Sequence, residues 1–166
     1  GVITNSIGMQ MMPIPAGEYS QRIEKVSFKS GEDPYYVVKG RFPNAFYIGR
    51  TEVTQQEWNQ VMKTRPWKGR PRAIDGPKKP VTYVTREEAA QFCARLTERE
   101  RTAGTIGRDL VYRLPTELEW EYACGARSSS RYHFGNNTAS VTKYEWCGGK
   151  QGGDDDHPRD VGLKWP

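Results

Sequence analysis

The sequence has no long apolar run. No window approaches the ~20 consecutive apolar residues that a helix needs to cross a bilayer, and mean hydropathy is −0.82. No secretory leader pattern follows Gly1, so the compartment is not bounded. Histidine is scarce, with His133 and His157 alone. A non-haem iron site needs two histidines and a carboxylate converging, and nothing in the sequence fixes such a geometry. Cysteine is scarce and odd in number. Cys93, Cys124 and Cys147 fit neither a zinc pattern nor a CxxC redox pair. Cys93 and Cys124 fall in helical stretches and read as small buried hydrophobes. There is no P-loop, no GxGxxG phosphate cradle and no visible Ser/His/Asp arrangement, which disfavours phosphoryl transfer and dinucleotide binding. Internal repeats and low-complexity segments are also missing.

What is present suits one loop-rich domain. The chain has 166 residues, enough to bury a real core. Aromatics make up 11%, including five tryptophans and nine tyrosines, so amphipathic aromatics carry much of the packing. The 17 glycines and 11 prolines imply many loops and short strands. Net charge is +5. The densest basic run is KTRPWKGRPR, Lys63–Arg72. It reads as a solvated loop in preference to a nucleic-acid groove, since basic residues elsewhere are interspersed with acids. Trp67 inside it is the best candidate for an exposed contact.

Three helix starts share one device. Thr54, Thr85 and Thr116 are each followed three residues later by a glutamate: Glu57, Glu88 and Glu119. In such a capping box the threonine hydroxyl accepts the third helical N–H, and the glutamate accepts the threonine's own N–H. In the second helix Ala89, Phe92, Cys93 and Leu96 make one apolar face. Arg86, Glu87, Arg95, Glu98 and Arg99 make a solvated one, and Gly104 marks its end. FYIGRTEVT, PVTYVT and LVYRLP read as extended pieces leading into the three helices. MQMMPIPAGEYS reads as broken strands turning at Ala16–Gly17. The fold class is α+β with high loop content.

Five phrases occur in order: TNSIGMQMMPIPAGEY (Thr4–Tyr19), FYIGRTEVTQQEWNQVM (Phe46–Met62), PVTYVTREEAAQFCARL (Pro80–Leu96), YRLPTELEWEYACGA (Tyr112–Ala126) and YHFGN…YEWCGG (Tyr132–Gly149). Together they resemble the formylglycine-generating enzyme, or sulfatase-modifying factor, family across essentially the whole chain. The resemblance implies a loop-rich relative of the C-type lectin fold, with three short-to-medium helices and short antiparallel strands. It implies a single domain over 1–166, its C-terminal end truncated at DVGLKWP. It also implies an oxygen-dependent oxidase that converts a peptidyl cysteine to formylglycine, with copper held by two cysteines. Those cysteines belong to a later part of the family pattern, and Cys93, Cys124 and Cys147 match none of its positions. The chain alone is therefore expected to be inactive, and the rest of the domain or another chain is needed. The implied substrate is an extended, sulfatase-like peptide or protein. The alternative is a non-catalytic ligand- or protein-binding module on the same scaffold, which the family also contains.

The resemblance also implies calcium. Asn136, Asn137, Asp154, Asp155, Asp156 and Asp160 are the candidate oxygen ligands; the competing reading is a solvated acidic loop. The close glutamates Glu117, Glu119 and Glu121 read as structural. Residues two apart on a helix lie about 200° around it, so the three cannot face one point. Glu119 belongs to its capping box, Glu117 suits the helix dipole, and Glu121 faces inward or pairs with Arg113. Trp58, Trp120 and Tyr122 are expected in the core. Trp146 and Trp165 either pack beneath the tail or belong to a ligand groove.

Overall fold

The computed structural model describes residues 1–24, 27, 29–32, 35–126, 128, 130, 132–146 and 157–165. The elements run β1 (Ile3–Thr4), β2 (Gln10–Ile14), β3 (Gly17–Glu24), β4 (Tyr35–Phe42), β5 (Phe46–Gly49), α1 (Gln55–Met62), α2 (Arg86–Thr102), α3 (Glu117–Gly125) and α4 (Val141–Tyr144), with a 3-10 turn just before α4. This is the α+β, loop-rich architecture expected. Strands order as β1-β2-β5 in one sheet, and β3 pairs with β4 in a second. Among the described residues no helix is long and apolar enough to cross a membrane.

All three capping boxes form. Glu57, Glu88 and Glu119 accept the amide hydrogens of Thr54, Thr85 and Thr116 at 2.7, 2.8 and 2.8 Å. The threonine hydroxyls accept in return at 3.2, 3.1 and 3.2 Å. Each box satisfies two donors that a helix start otherwise leaves unpaired. Helix α1 ends on Lys63 and α3 on Ala126, both left-handed caps.

The chain folds into two compact units. One holds Gly1–Met12, Gly49–Leu114 and Ala139–Pro166; the other holds Pro13–Ile48 and Pro115–Thr138. The first unit contains the core: Ile7, Met9, Met11, Trp58, Met62, Trp67, Phe92 and Leu96. Trp58 stacks on Phe92 with ring centroids 5.4 Å apart. Its indole N–H donates to the Thr64 hydroxyl at 3.0 Å. Phe92 and Leu96 are the buried positions of the predicted apolar face of α2, while Arg86, Glu87, Arg95, Glu98 and Arg99 are exposed.

Trp67 corrects the sequence reading. It is 2% exposed, and its indole donates to Asp75 at 2.5 Å. The basic run hides a core anchor: the cations stay outside while the ring is buried with its N–H satisfied. The extended pieces also differ from expectation. Pro80–Thr85 makes one isolated bridge, Thr54 to Pro80. Leu110–Pro115 forms no strand. Its backbone is held by a side chain instead, as Tyr112 N–H donates to the Thr97 hydroxyl at 2.8 Å.

The second unit is built on the β3–β4 hairpin, with register Gly17 to Phe42 through Glu24 to Tyr35. Tyr19, Phe42, Phe46 and Tyr122 form its aromatic cluster, with Phe42 and Tyr122 stacked at 4.8 Å. Gly40 sits opposite Tyr19 in the ladder, and a side chain there would collide with the tyrosine ring. Trp120 is 53% exposed, against expectation, whereas Tyr122 is buried. The reason is helical period: two residues apart means opposite faces. Tyr122 takes the inner one and donates to the Pro15 carbonyl at 3.2 Å. The glutamates behave as structural groups, with Glu117 exposed and Glu119 held by Thr116.

Candidate functional site

Two features of the first unit carry chemistry beyond packing. The first starts in the loop after α1. Gln55, buried at the start of α1, donates to the Ile74 carbonyl at 2.9 Å and accepts from Gly76 N–H at 3.0 Å. Together with the Trp67–Asp75 bond, and the Arg65–Asp75 ion pair at 3.4 Å, this fixes both ends of the loop. The basic residues between them, Lys68, Arg70 and Arg72, are left on the outside.

Arg72, Thr82, Tyr83 and Pro158 line an open hollow of about 280 Å³. Arg72 has φ 59° and Tyr83 has φ 59°. Neither is glycine, asparagine or a helix cap, and each left-handed residue of this kind costs on the order of 1–3 kcal/mol. The surroundings hold Tyr83 in place. Its hydroxyl donates to the Pro71 carbonyl at 2.5 Å, and the Arg70 guanidinium lies 5.6 Å from its ring centroid. The Thr82 hydroxyl oxygen is buried and has no hydrogen-bond partner among the described residues. Pro158 is delivered by the tail, which is fastened by Val161 N–H to the Lys78 carbonyl at 2.9 Å and by the Lys79–Asp160 ion pair at 3.1 Å. Nothing in PVTYVT distinguishes this geometry from an ordinary extended piece, so sequence reasoning missed it.

The second feature is an aromatic and cationic surface formed by α4 and the tail. Trp146 is 54% exposed and Trp165 is 67% exposed. Lys164 Nζ lies 3.7 Å from the centroid of Trp146, and the Arg159 guanidinium 5.3 Å. The Lys164 ammonium also donates to the Thr142 carbonyl. Trp165 meets Tyr144 edge-on at 6.2 Å, and the Trp165 backbone N–H donates to the Lys143 carbonyl at 3.3 Å. Pro158 of the hollow and Arg159 of this surface are consecutive residues. Both rings are exposed, so neither is packed beneath the tail.

A third cluster is structural. Glu100 is fully buried, and sequence reasoning passed it over as part of a charged run. Its carboxylate accepts from Ser6 N–H at 3.2 Å, from the Ser6 hydroxyl and from the Thr105 hydroxyl at 2.5 Å. Burial pushes its pKa up. The hydrogen bonds from Ser6 and Thr105, with Arg99 nearby, outweigh burial and hold the carboxyl below its ordinary value. The signal was available, since Glu100 follows Phe92 and Leu96 at four-residue spacing.

The metal candidates fall as follows. Asp154, Asp155, Asp156 and Cys147 lie outside the described residues. Asn136 and Asn137 belong to the second unit and Asp160 to the first, where Asp160 pairs with Lys79. Among the described residues, no three His, Cys, Asp or Glu side chains gather in a group that could hold a metal ion. Copper needs a pair of thiolates. Cys93 sits against the core of the first unit, where burial pushes its thiol pKa up, and Cys124 is exposed on α3 of the second. The two described thiols do not fit a copper site.

Three comparisons with known proteins agree. The chaperone protein LppX of Paenibacillus barcinonensis is 29% identical over 151 residues, covering 75% of this chain and 52% of that protein. The chain thus spans about half the length of this curated relative. The structure of PvdO from Pseudomonas aeruginosa is similar in fold with a TM-score of 0.67, at 23% identity, over 96% of this chain and 67% of that one. The sequence model of the sulfatase-modifying factor enzyme 1-like domain matches residues 4–159. The chain belongs to this formylglycine-generating enzyme-type sulfatase-modifying factor family.

Proposed function

We propose that this chain is a recognition module on the family's scaffold, binding an extended polypeptide segment without oxidising it. The exposed aromatic and cationic surface at Tyr144, Trp146, Trp165, Arg159 and Lys164 carries this reading. Exposed tryptophans with adjacent cations are the residue types that dominate protein interfaces. Cations over the indole face present positive charge to an acidic or polar backbone. The similarity to a protein named as a chaperone supports a binding role. Trp67 lies in the core, so the Lys63–Arg72 run lacks the stacking ring that single-stranded nucleic acid would use. The experiment is an array of extended peptides probed with the wild-type chain and with Trp146→Ala and Trp165→Ala. Selected peptides should lose affinity by about tenfold or more in the variants. Equal binding by all three proteins would refute the reading.

The family description favours a second reading, oxidation of a peptidyl cysteine to formylglycine by the protein as a whole. Copper and oxygen would supply that chemistry, and the described thiols of this chain do not fit a copper site. Calcium within Asn136–Asp160 is a separate proposal. Binding there through Asp160 would compete with Lys79, and calcium should then raise Tm.

A further inference from the structure

We infer that the segment 110–114 is a docking edge for an extended peptide, which adds to it as an antiparallel strand centred on Val111. The inference rests on the recognition reading for its ligand class, an extended polypeptide. It stands on residues other than Trp146 and Trp165, so each can fail without the other.

The segment behaves as a strand whose neighbour is a helix. Along a strand, consecutive residues turn their backbone N–H and C=O groups to opposite edges. Here Leu110 and Tyr112 both face α2. The Arg101 guanidinium donates to the Leu110 carbonyl at 3.0 Å, and to the Arg108 carbonyl in the turn before it at 2.8 Å. The Thr97 hydroxyl accepts the Tyr112 amide hydrogen at 2.8 Å and donates to the Tyr112 carbonyl at 3.4 Å. Arg101 and Thr97 thus stand in for a partner strand along one edge. Burial alternates in step: Tyr112 and Leu114 are half-buried, and Val111 and Arg113 are exposed.

The opposite edge is open at Val111. Neither its N–H nor its C=O has a hydrogen-bond partner among the described residues. Leu110 is 59% exposed and Val111 57%, so no other part of the fold covers this stretch. A backbone donor and acceptor flanked by exposed apolar side chains are what another extended chain completes. A helix would not complete them, because it uses its backbone groups internally. The edge is bounded at both ends. Leu110 N–H closes a turn on the Gly107 carbonyl at 3.1 Å, and Pro115 has no N–H to give. Because α2 already holds the segment in place, a peptide meets a preorganised edge.

Charge sets the direction. Asp109 stands exposed at the turn end of the edge and enters no ion pair among the described residues. At the other end the Arg113 guanidinium donates to the Leu114 carbonyl at 3.2 Å. An antiparallel peptide with an apolar residue against Val111 brings its following residues towards Asp109, where a lysine or arginine makes the favourable cross-strand pair.

The test is amide hydrogen exchange and chemical-shift titration by NMR on the whole chain. Before peptide is added, the Val111 amide should exchange fast and the Tyr112 amide, held by Thr97, slowly. Ac-Thr-Thr-Val-Thr-Lys-NH2 should shift the Val111 amide and slow its exchange. N-methylation of the peptide's valine blocks the amide that faces the edge and should weaken binding by about tenfold or more. N-methylation of the threonine after it alters an amide that points away and should change binding by less than about twofold. Ac-Lys-Thr-Val-Thr-Thr-NH2, of identical composition, should bind about threefold more weakly, and Asp109→Lys should reverse that order. Equal losses from the two methylations, shifts confined to other residues, or a Val111 amide already protected without peptide would overturn the proposal. Protection that grows with protein concentration would also overturn it, by placing a second copy on the edge. Peptides that depend on Trp146 and Trp165 yet leave the Val111 amide unmoved would overturn it and leave the recognition reading standing. A Val111 response that survives Trp146→Ala and Trp165→Ala would support it whatever becomes of that reading.

Discussion

Ser6 and Glu100, 94 residues apart in sequence, are joined by backbone and side-chain hydrogen bonds to one buried carboxylate. The turn between β1 and β2 is thereby tied to the last turn of α2. Asn5 tightens that turn by accepting the Met9 and Ile7 amide hydrogens at 2.9 and 3.2 Å.

Glu100→Ala should destabilise the protein by about 3 kcal/mol, since the Ser6 and Thr105 donors lose a charged acceptor. The pH dependence follows from the lowered pKa. The unfolded state binds the proton more readily, so the stabilisation is complete above the ordinary value of 4.5 and is lost as pH falls through the lower folded value. Urea titrations between pH 3 and pH 7 should show this acid-side loss in the wild type and a shallower one in Glu100→Gln.

Trp67→Ala and Trp165→Ala should behave oppositely. The first empties a core position and should cost about 3–5 kcal/mol. The second removes an exposed ring and should change stability by less than about 0.5 kcal/mol. Comparable losses in chemical denaturation would contradict the burial difference.

Gly40→Ala should cost about 1–3 kcal/mol, because the added methyl meets the Tyr19 ring across the hairpin. Tyr19→Leu in the same background should recover part of the loss, which a double-mutant cycle measures.

The thiols should differ in reactivity. Cys124 is exposed, whereas burial raises the Cys93 pKa, so iodoacetamide at pH 8 should label Cys124 first and Cys93 only with unfolding. Incubated with copper(I) and a Cys-x-Pro-x-Arg peptide, this chain alone should give no formylglycine by mass spectrometry. Conversion would restore the oxidase reading.

The helices were legible because a capping box is a local device. Thr54, Thr85 and Thr116 need only the glutamate three residues on, and no distant partner, to form it. The apolar face of α2 was legible for the same reason, since Phe92 and Leu96 are neighbours on one helix. What escaped depends on tertiary partners. Trp67 is buried by Asp75 and the core, although its sequence neighbours are cations. Trp120 was misplaced because it was judged by residue type, when the period that separated the glutamates also separates it from Tyr122. The hollow escaped because positive φ at Arg72 and Tyr83 has no residue signature of the glycine kind. It arises only where Pro71, Arg70 and the tail converge.

The chain passes between its two compact units after Met12, Ile48, Leu114 and Thr138. Neither unit can therefore be obtained as a continuous fragment. A single protease nick in any connecting loop leaves both products holding part of the first unit, whose core takes Met11 from one segment and Trp58 and Phe92 from another. Cleaved material should accordingly migrate as the intact protein until denaturant is added, and fragment complementation becomes a practical route for labelling one segment at a time.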